Sequence, residues 1–326
     1  MTVPHFAEVE AAAGRLNGLA LRTPLIESPM LSERCGGRVL LKLETLQHTG
    51  SFKFRGAYNR LVQLSPAERK SGVVAFSSGN HAQGVARAAA MLGIHATIIM
   101  PSDAPRVKRD ATRAFGAEIV EYDRRTENRE DIAARIAQKS GAIVVPSFDD
   151  RNVIAGQGTI GLELAVQAGE LGSALDFVLV PCSGGGLSSG IVLALHGSSP
   201  RTRVITVEPD GYDGARLSLL NGERIAAEGT RATIADALTS PAPGVLPFGI
   251  LHTLGARGVA VSDDDLVHAV AFAALRLKLV VEPGGAAALA ALLARKFDVA
   301  GSTVAVVLSG GNIDPDTLKR CVDIAA

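Results

Sequence analysis

The sequence predicts an α/β fold of two doubly wound, open parallel sheets, with a small domain inserted in a large one. Three observations predict it. Short runs rich in valine and isoleucine, apolar throughout, alternate with longer segments of helical period, as in parallel sheets covered by helices on both faces. The chain has 326 residues, 47% of them hydrophobic, enough for about two domains with cores of their own. Several of the 35 glycines gather directly behind apolar runs, where backbone must approach something closely.

Strands are expected near 39–43, 73–76, 96–100, 118–122, 143–145, 177–181, 204–208 and 304–308. Helices are expected over 80–92, 106–115, 128–138, 156–167 and 263–278. The segment 67–147 holds four of these strands and three of the helices, and reads as a small mobile domain. Residues 1–66 and 148–326 would form the large one. The Pro- and Gly-rich stretch 221–248 reads as a long surface loop.

Composition excludes several classes of function. The 33 basic and 33 acidic side chains cancel, so a nucleic-acid surface, which needs a basic excess, is not expected. No run of ~18 apolar residues offers a membrane span. The opening residues MTVPHFAEVEAAAGRL lack an apolar signal core, which argues against export. Cys35, Cys182 and Cys321 are too far apart for a disulfide framework or a metal knuckle, so a reducing cytoplasm is expected. Lysine is scarce, with only eight among the 33 basic residues.

In open α/β sheets, ligands lie beyond the carboxyl ends of the strands. Four junctions there carry chemistry. The first is Thr49-Gly-Ser-Phe-Lys53-Phe-Arg-Gly56, where Lys53 stands between two phenylalanines at a helix start. Apolar walls and the positive helix end both favour its neutral amine, a nucleophile able to form a Schiff base with an aldehyde. The second, Ser77-Ser78-Gly79-Asn80-His81, opens a helix with small residues whose backbone amides can hold a carboxylate. The third, Cys182-Ser183-Gly184-Gly185-Gly186-Leu187, has three successive glycines behind a strand, the most specific feature of the set and a cradle for phosphate. Cys182 itself reads as a buried small apolar residue. The fourth is Ser309-Gly310-Gly311-Asn312, whose hydroxyl can face a heterocyclic nitrogen.

One motif misleads. Gly156-Gln-Gly158-Thr-Ile-Gly161 spells G-x-G-x-x-G, but that dinucleotide fingerprint needs a strand before it and an acid ~20 positions on, behind the next strand. The preceding 149–152 reads as loop, and Asp176 comes before the next strand. Nicotinamide binding is rejected.

Together these motifs describe a pyridoxal-phosphate site, and the chain resembles the fold-type-II pyridoxal-phosphate enzymes of the threonine/serine dehydratase and serine racemase family. The resemblance runs from Arg22-Thr-Pro-Leu25 through Ser-Phe-Lys-Phe-Arg-Gly-Ala, Ser-Ser-Gly-Asn-His, Ala-Gly-Gln-Gly-Thr and Glu282-Pro-Gly-Gly285 to Ser-Gly-Gly-Asn. It implies a tryptophan-synthase-β-like fold with pyridoxal 5'-phosphate held covalently at Lys53 in the large domain. Phe52 would lie beside the cofactor, Asn80 at the ring hydroxyl and Ser309 at the pyridine nitrogen. Ser183, Gly184, Gly185, Gly186 and Leu187 would hold the phosphate, and Glu282 would sit near the ring. Ser77, Ser78, Gly79, Asn80 and His81 would hold the substrate α-carboxylate.

The activity so implied is β-elimination of L-threonine, L-serine or a related β-hydroxy amino acid to a 2-oxo acid and ammonia, by a homo-oligomer (dimer or tetramer). The chain ends 14 residues after Asn312. No regulatory domain is therefore expected, which suggests the catabolic type. Two departures keep alternatives open. Ser78 stands where many dehydratases have alanine and racemase-like members have serine, on the face opposite the lysine. Arg129 resembles a position where some members meet a distal carboxylate. A serine or threo-3-hydroxyaspartate racemase/dehydratase is therefore the alternative, and a non-catalytic cofactor-binding protein a distant one. Racemase-like members hold a divalent cation through a Glu-Pro start and an aspartate that would fall at position 214. Here Glu208-Pro209 is followed by Asp213 and Gly214, which leaves a divalent or monovalent cation an open question.

Overall fold

The computed structural model describes residues 3–104, 106–229 and 232–325. Its strands, in chain order, are β1 (Leu25–Glu27), β2 (Arg38–Leu43), β3 (Val73–Phe76), β4 (Ala96–Pro101), β5 (Glu118–Tyr122), β6 (Ile143–Val144), β7 (Phe177–Pro181), β8 (Arg203–Pro209), β9 (Arg257–Val261) and β10 (Thr303–Leu308). They form a six-stranded sheet in the order β1-β2-β10-β7-β8-β9 and a four-stranded sheet in the order β5-β4-β3-β6. Every pairing is parallel except that of β1 with β2.

Burial on both faces explains the apolar runs. Val39, Leu41, Val304 and Val306 pack into one core cluster, while Leu40, Val178, Ala305 and Val307 pack into another. Successive side chains of a strand point to opposite faces, so each face has its own helices to fill it. The four-stranded sheet is covered by the helices Asn80–Leu92, Arg106–Ala114 and Arg129–Ser140. Helix Lys53–Val62 joins the two regions. Phe54, Tyr58 and Leu61 enter the core beside β3 and β4, and Gly56 meets helix Arg151–Glu170. Among the described residues, no helix is long and apolar enough to cross a membrane.

Several expectations need correction. The short β1 and the edge strand β9 were not foreseen. The stretch 149–152 is not all loop, because Asp150 accepts from Asn152 N and Val153 N at 2.8 and 2.9 Å and starts a helix that runs to Glu170. Helix 263–278 is α-helical only over Asp263–Phe272 and then widens into a π-turn over Ala273–Leu277. The loop 221–248 contains a 3-10 turn, Asp236–Leu238, and its end already belongs to helix Val245–Thr253.

The G-x-G-x-x-G motif lies inside helix Arg151–Glu170, where its glycines let helices touch. A Cβ on Gly158 would stand 2.8 Å from Gly190 O and 2.9 Å from Val9 Cγ1, and one on Gly161 would stand 2.7 Å from Ala194 Cβ. Gly158→Ala is therefore expected to destabilise the protein by about 1–3 kcal/mol through overpacking. Urea unfolding checks this, and an unchanged midpoint would show that the helices can separate at no cost.

Candidate functional site

Beyond the carboxyl ends of β3, β7 and β10 lies a cavity of about 870 Å³. All the site residues expected from the sequence line it, including Arg129.

Lys53 owes its place to the end of β10. Ser51 forms a bridge with Gly310, and Phe52 N donates to Ser309 O at 3.1 Å, so the helix that starts at Lys53 is pinned to the sheet. Gly84 leaves room for it, since a Cβ there would lie 3.0 Å from the Lys53 carbonyl carbon. The Lys53 side chain is partly exposed, toward the cavity it lines. Its Nζ donates to Ser147 O at 2.8 Å and stands 5.1 Å from the centre of the Phe52 ring. Removal from water lowers its pKa to about 8, against the attraction of Glu282.

Glu282 is buried, and burial raises its pKa to about 7 although an amide hydrogen bond from Asn80 opposes the shift. Asn80 Oδ1 in turn accepts from Asn312 Nδ2 at 2.8 Å, and the same Nδ2 lies 2.7 Å from Thr49 O. Gly310 makes room for Glu282 and Asn80, because a Cβ there would lie 2.3 Å from Glu282 Oε1 and 3.0 Å from Asn80 Nδ2 and would push both side chains aside. Ser309 is buried at the same strand end. These contacts fix Asn80, Glu282 and Ser309 around one side of the cavity.

Two helix N-termini open into it. Helix Gly186–Ser198 has Gly185 as its N-cap at φ +86, a left-handed conformation that suits glycine, with no side chain to offer the first amides. Gly184 and Gly186 lie against Phe148, where Cβ atoms would come within 2.3 and 2.8 Å of it. Ser183 Oγ accepts from Ser240 N at 3.1 Å. The result is a bare amide nest for an anion of phosphate size. Helix Asn80–Leu92 has Gly79 as its N-cap, and Ser77 Oγ accepts from Gly79 N at 3.2 Å. This second nest suits a carboxylate.

The other expected residues sort themselves clearly. His81 lines the cavity, but its Nε2 is held 2.9 Å from Val145 O and burial lowers its pKa to about 3, so the ring is neutral. Arg129 is half exposed, stacks over Phe76 at 5.3 Å and donates to Glu130 at 3.0 Å. Cys182 is buried, accepts from Ser188 Oγ at 3.4 Å, and burial raises its thiol well above the ordinary range, which excludes a thiolate. Glu208 accepts from Ala215 N and Arg216 N at 3.0 and 2.8 Å, and Asp213 pairs with Arg216. The Glu-Pro start thus caps a helix. Among the described residues, no group of three or more His, Cys, Asp or Glu could hold a metal ion.

Sequence reasoning missed Ser147, Phe148, Lys108, Asp236 and Ser240, which also line the cavity. Ser147 acts through its carbonyl and Ser240 through its amide, contacts that no side-chain type announces. Lys108 was one of eight scarce lysines but stood beside no glycine cluster.

A family model described as pyridoxal-phosphate dependent enzyme matches residues 16–310. An L-threo-3-hydroxyaspartate ammonia-lyase from Pseudomonas sp is 45% identical over 96% of this chain and 97% of its own length. A serine racemase from Schizosaccharomyces pombe is 38% identical over 96% of each. Among solved structures, a threonine deaminase from T.th. superposes with a TM-score of 0.89 at 42% identity, covering 95% of this chain and 99% of its own.

Proposed function

This chain belongs to the pyridoxal-phosphate-dependent enzymes, and from that premise we propose that it is an ammonia-lyase for L-threonine, L-serine or a related β-hydroxy amino acid, releasing a 2-oxo acid and ammonia. One observation carries the reading: a lysine with a depressed pKa faces the same cavity as two bare helix N-termini.

The residues fit the cofactor. Gly184, Gly185 and Gly186 pack against Phe148 and Pro247, where any Cβ would clash, and no side chain caps the helix Gly186–Ser198, so its first amides are left for a phosphate. Ser183 to Leu187 would bind the phosphate, Lys53 Nζ the aldehyde carbon, Asn80 the ring hydroxyl and Ser309 Oγ the ring nitrogen. Phe52 and Glu282 would flank the ring. When bound, the cofactor supplies an electron sink for charge developing at the substrate α-carbon.

Ser77 to His81 would orient the substrate through its α-carboxylate. Lys53 would hold the cofactor between turnovers and, with its amine free and neutral, would take the substrate α-proton as general base. Ser309 Oγ, a hydroxyl, would not hold a proton at the ring nitrogen as a carboxylate would. Charge at the α-carbon would therefore be less well stored, which favours prompt loss of the β-hydroxyl; the α-proton and the hydroxyl leave in net as water, and water then hydrolyses the released enamine to the 2-oxo acid and ammonia. The segment 67–147 carries Ser77 to His81 and Arg129, and its movement against the six-stranded sheet would open and close the cavity.

A second reading, a 3-hydroxyaspartate substrate, is favoured by the cationic Arg129 on the cavity wall and by the Pseudomonas relative. The test is a panel of β-hydroxy amino acids, with and without divalent cation, reading 2-oxo acid, ammonia and chirality. Equal amounts of 2-oxo acid and ammonia are expected. Ser78→Ala is expected to lower any racemisation by about 10²-fold or more while elimination largely survives, because only racemisation needs a proton from that face. A cofactor-loaded protein that releases no ammonia from any member of the panel would overturn the reading.

A further inference from the structure

A second cavity, of about 570 Å³, shares no lining residue with the one that Lys53 faces. Three elements enclose it. Helix Pro29–Cys35 brings Arg34, and the helix Asp263–Phe272 with its π-turn brings Phe272, Leu275 and Arg276. Helix Ala287–Leu293 brings Ala290 and Leu293. We propose that this cavity binds an aromatic monocarboxylate and that its occupation is linked through the chain to Glu282.

The charges of the wall select the ligand. Among the described residues, neither Arg34 nor Arg276 has a carboxylate partner, and Arg34 lies instead over the Phe272 ring, 5.7 Å from its centre. The other polar groups are committed. Asp265 accepts from Ser262 N at 3.0 Å and pairs with Lys296 at 3.4 Å, and His268 Nδ1 donates to Asp264 O at 2.8 Å. Two guanidiniums without an anion thus border an apolar floor. A guanidinium fork meets a carboxylate through two parallel hydrogen bonds. The Phe272 face, already stacked by a cation, suits a flat aromatic body. Asp265 on the same wall adds a negative charge, which favours a monoanion over a phosphate dianion.

The chain connects this cavity to the other one. Its two long walls are consecutive elements, and the segment that joins them carries Glu282. The π-turn ends at Lys278, whose φ of +60 is a left-handed conformation uncommon for lysine. The chain then reaches Glu282, which accepts from Asn80 in the cavity of Lys53, and Glu282 O accepts from Ala286 N at 2.9 Å just before helix Ala287–Leu293 begins. Such π-turns recur at functional sites, where they widen a helix. A ligand wedged between the π-turn and the helix Ala287–Leu293 fixes both ends of the segment that places the Glu282 carboxylate.

The test titrates the holoenzyme calorimetrically with 1-naphthylacetate, its neutral amide 1-naphthylacetamide, and 1-naphthyl phosphate. The carboxylate is expected to bind about tenfold or more tightly than the amide, and more tightly than the phosphate. Arg34→Gln and Arg276→Gln are each expected to lower its affinity about threefold to tenfold and to leave the amide unchanged. Ala294→Phe, which fills the cavity from its partly buried rim, is expected to abolish binding of both. Binding should also change the visible circular dichroism of the bound cofactor in the wild type and not in Ala294→Phe. None of these readings uses turnover, so they stand or fall apart from the lyase reading. Carboxylate binding that survives Ala294→Phe, or that is indifferent to both arginines, overturns the site. A phosphate that binds more tightly overturns the ligand class, and an unchanged cofactor band overturns the link to Glu282. Should Ala294→Phe fail to fold, the arginine variants decide, because both change exposed side chains.

Discussion

Replacing Lys53 with alanine is expected to lower kcat by about 10⁴-fold or more and to abolish the visible absorbance of the bound cofactor. The size of the effect follows from two roles assigned to one Nζ, holding the cofactor and taking the α-proton. Both need the free amine. With its pKa lowered to about 8, roughly a quarter of the amine is neutral at pH 7.5, against about 0.1% at the ordinary value of 10.5. Burial that favours the neutral amine also acts on stability. Between pH 8 and 10.5 the unfolded chain holds a proton that the cofactor-free folded chain has lost, so stability rises with pH across that window. Below pH 8 both states are charged, and the folded state carries the full cost of up to about 3 kcal/mol. Cofactor-free Lys53→Met should therefore melt above the cofactor-free wild type at pH 7, with a gap that closes as pH approaches 10.5. Turnover and a visible band surviving in the alanine variant would remove Lys53 from the chemistry.

The strands that build the site were legible because they are buried on both faces. β3 and β7 begin and end where the apolar runs do. The two edges of the six-stranded sheet were not legible for the same reason. β1 is three residues long with Ile26 exposed, and β9 starts at the exposed Arg257 and a glycine, so its apolar stretch is only Val259-Ala260-Val261. Glycine clusters marked the anion nests because their backbone requirements are local. The same local logic misread 149–152, where an aspartate that looks like loop is a helix N-cap. What sequence could not reach at all were pairings between distant charges. Lys108 with Asp236, and Lys42 and Arg55 with Glu163, are more than 100 positions apart. A charged residue in a hydropathy pattern reads as surface until its partner is known.

Arg55 shows how much such a pairing can matter. It stands two residues beyond Lys53 and is 1% exposed. Its guanidinium donates to Glu44 at 2.8 and 2.9 Å, to Glu163 at 2.6 and 3.0 Å, to Thr159 Oγ1 at 3.2 Å and to Leu21 O at 3.1 Å. Glu163 also holds the buried Lys42 at 2.5 Å, and Thr23 Oγ1 donates to Glu44 at 2.6 Å. Two cations and two carboxylates thus balance inside the fold, joining the end of β2, the helix Arg151–Glu170 and the start of the helix that carries Lys53. Arg55→Ala leaves Glu44 buried without its cation and is expected to cost about 3–5 kcal/mol in urea unfolding at pH 7. Arg55→Lys keeps the charge but loses the fork that meets two carboxylates, and should fall between the two. The pH dependence identifies the cause. In the wild type, Arg55 holds the Glu44 carboxyl below its ordinary range despite burial, so this stabilisation is present above the unfolded pKa and is lost as pH falls. Without Arg55, burial outweighs the smaller opposing effects of Lys42 and Thr23 and raises that carboxyl, and the variant recovers stability as Glu44 takes a proton. The gap should therefore narrow from both sides toward about pH 4. A deficit that stays constant from pH 7 to pH 4 would assign the loss to packing instead of charge.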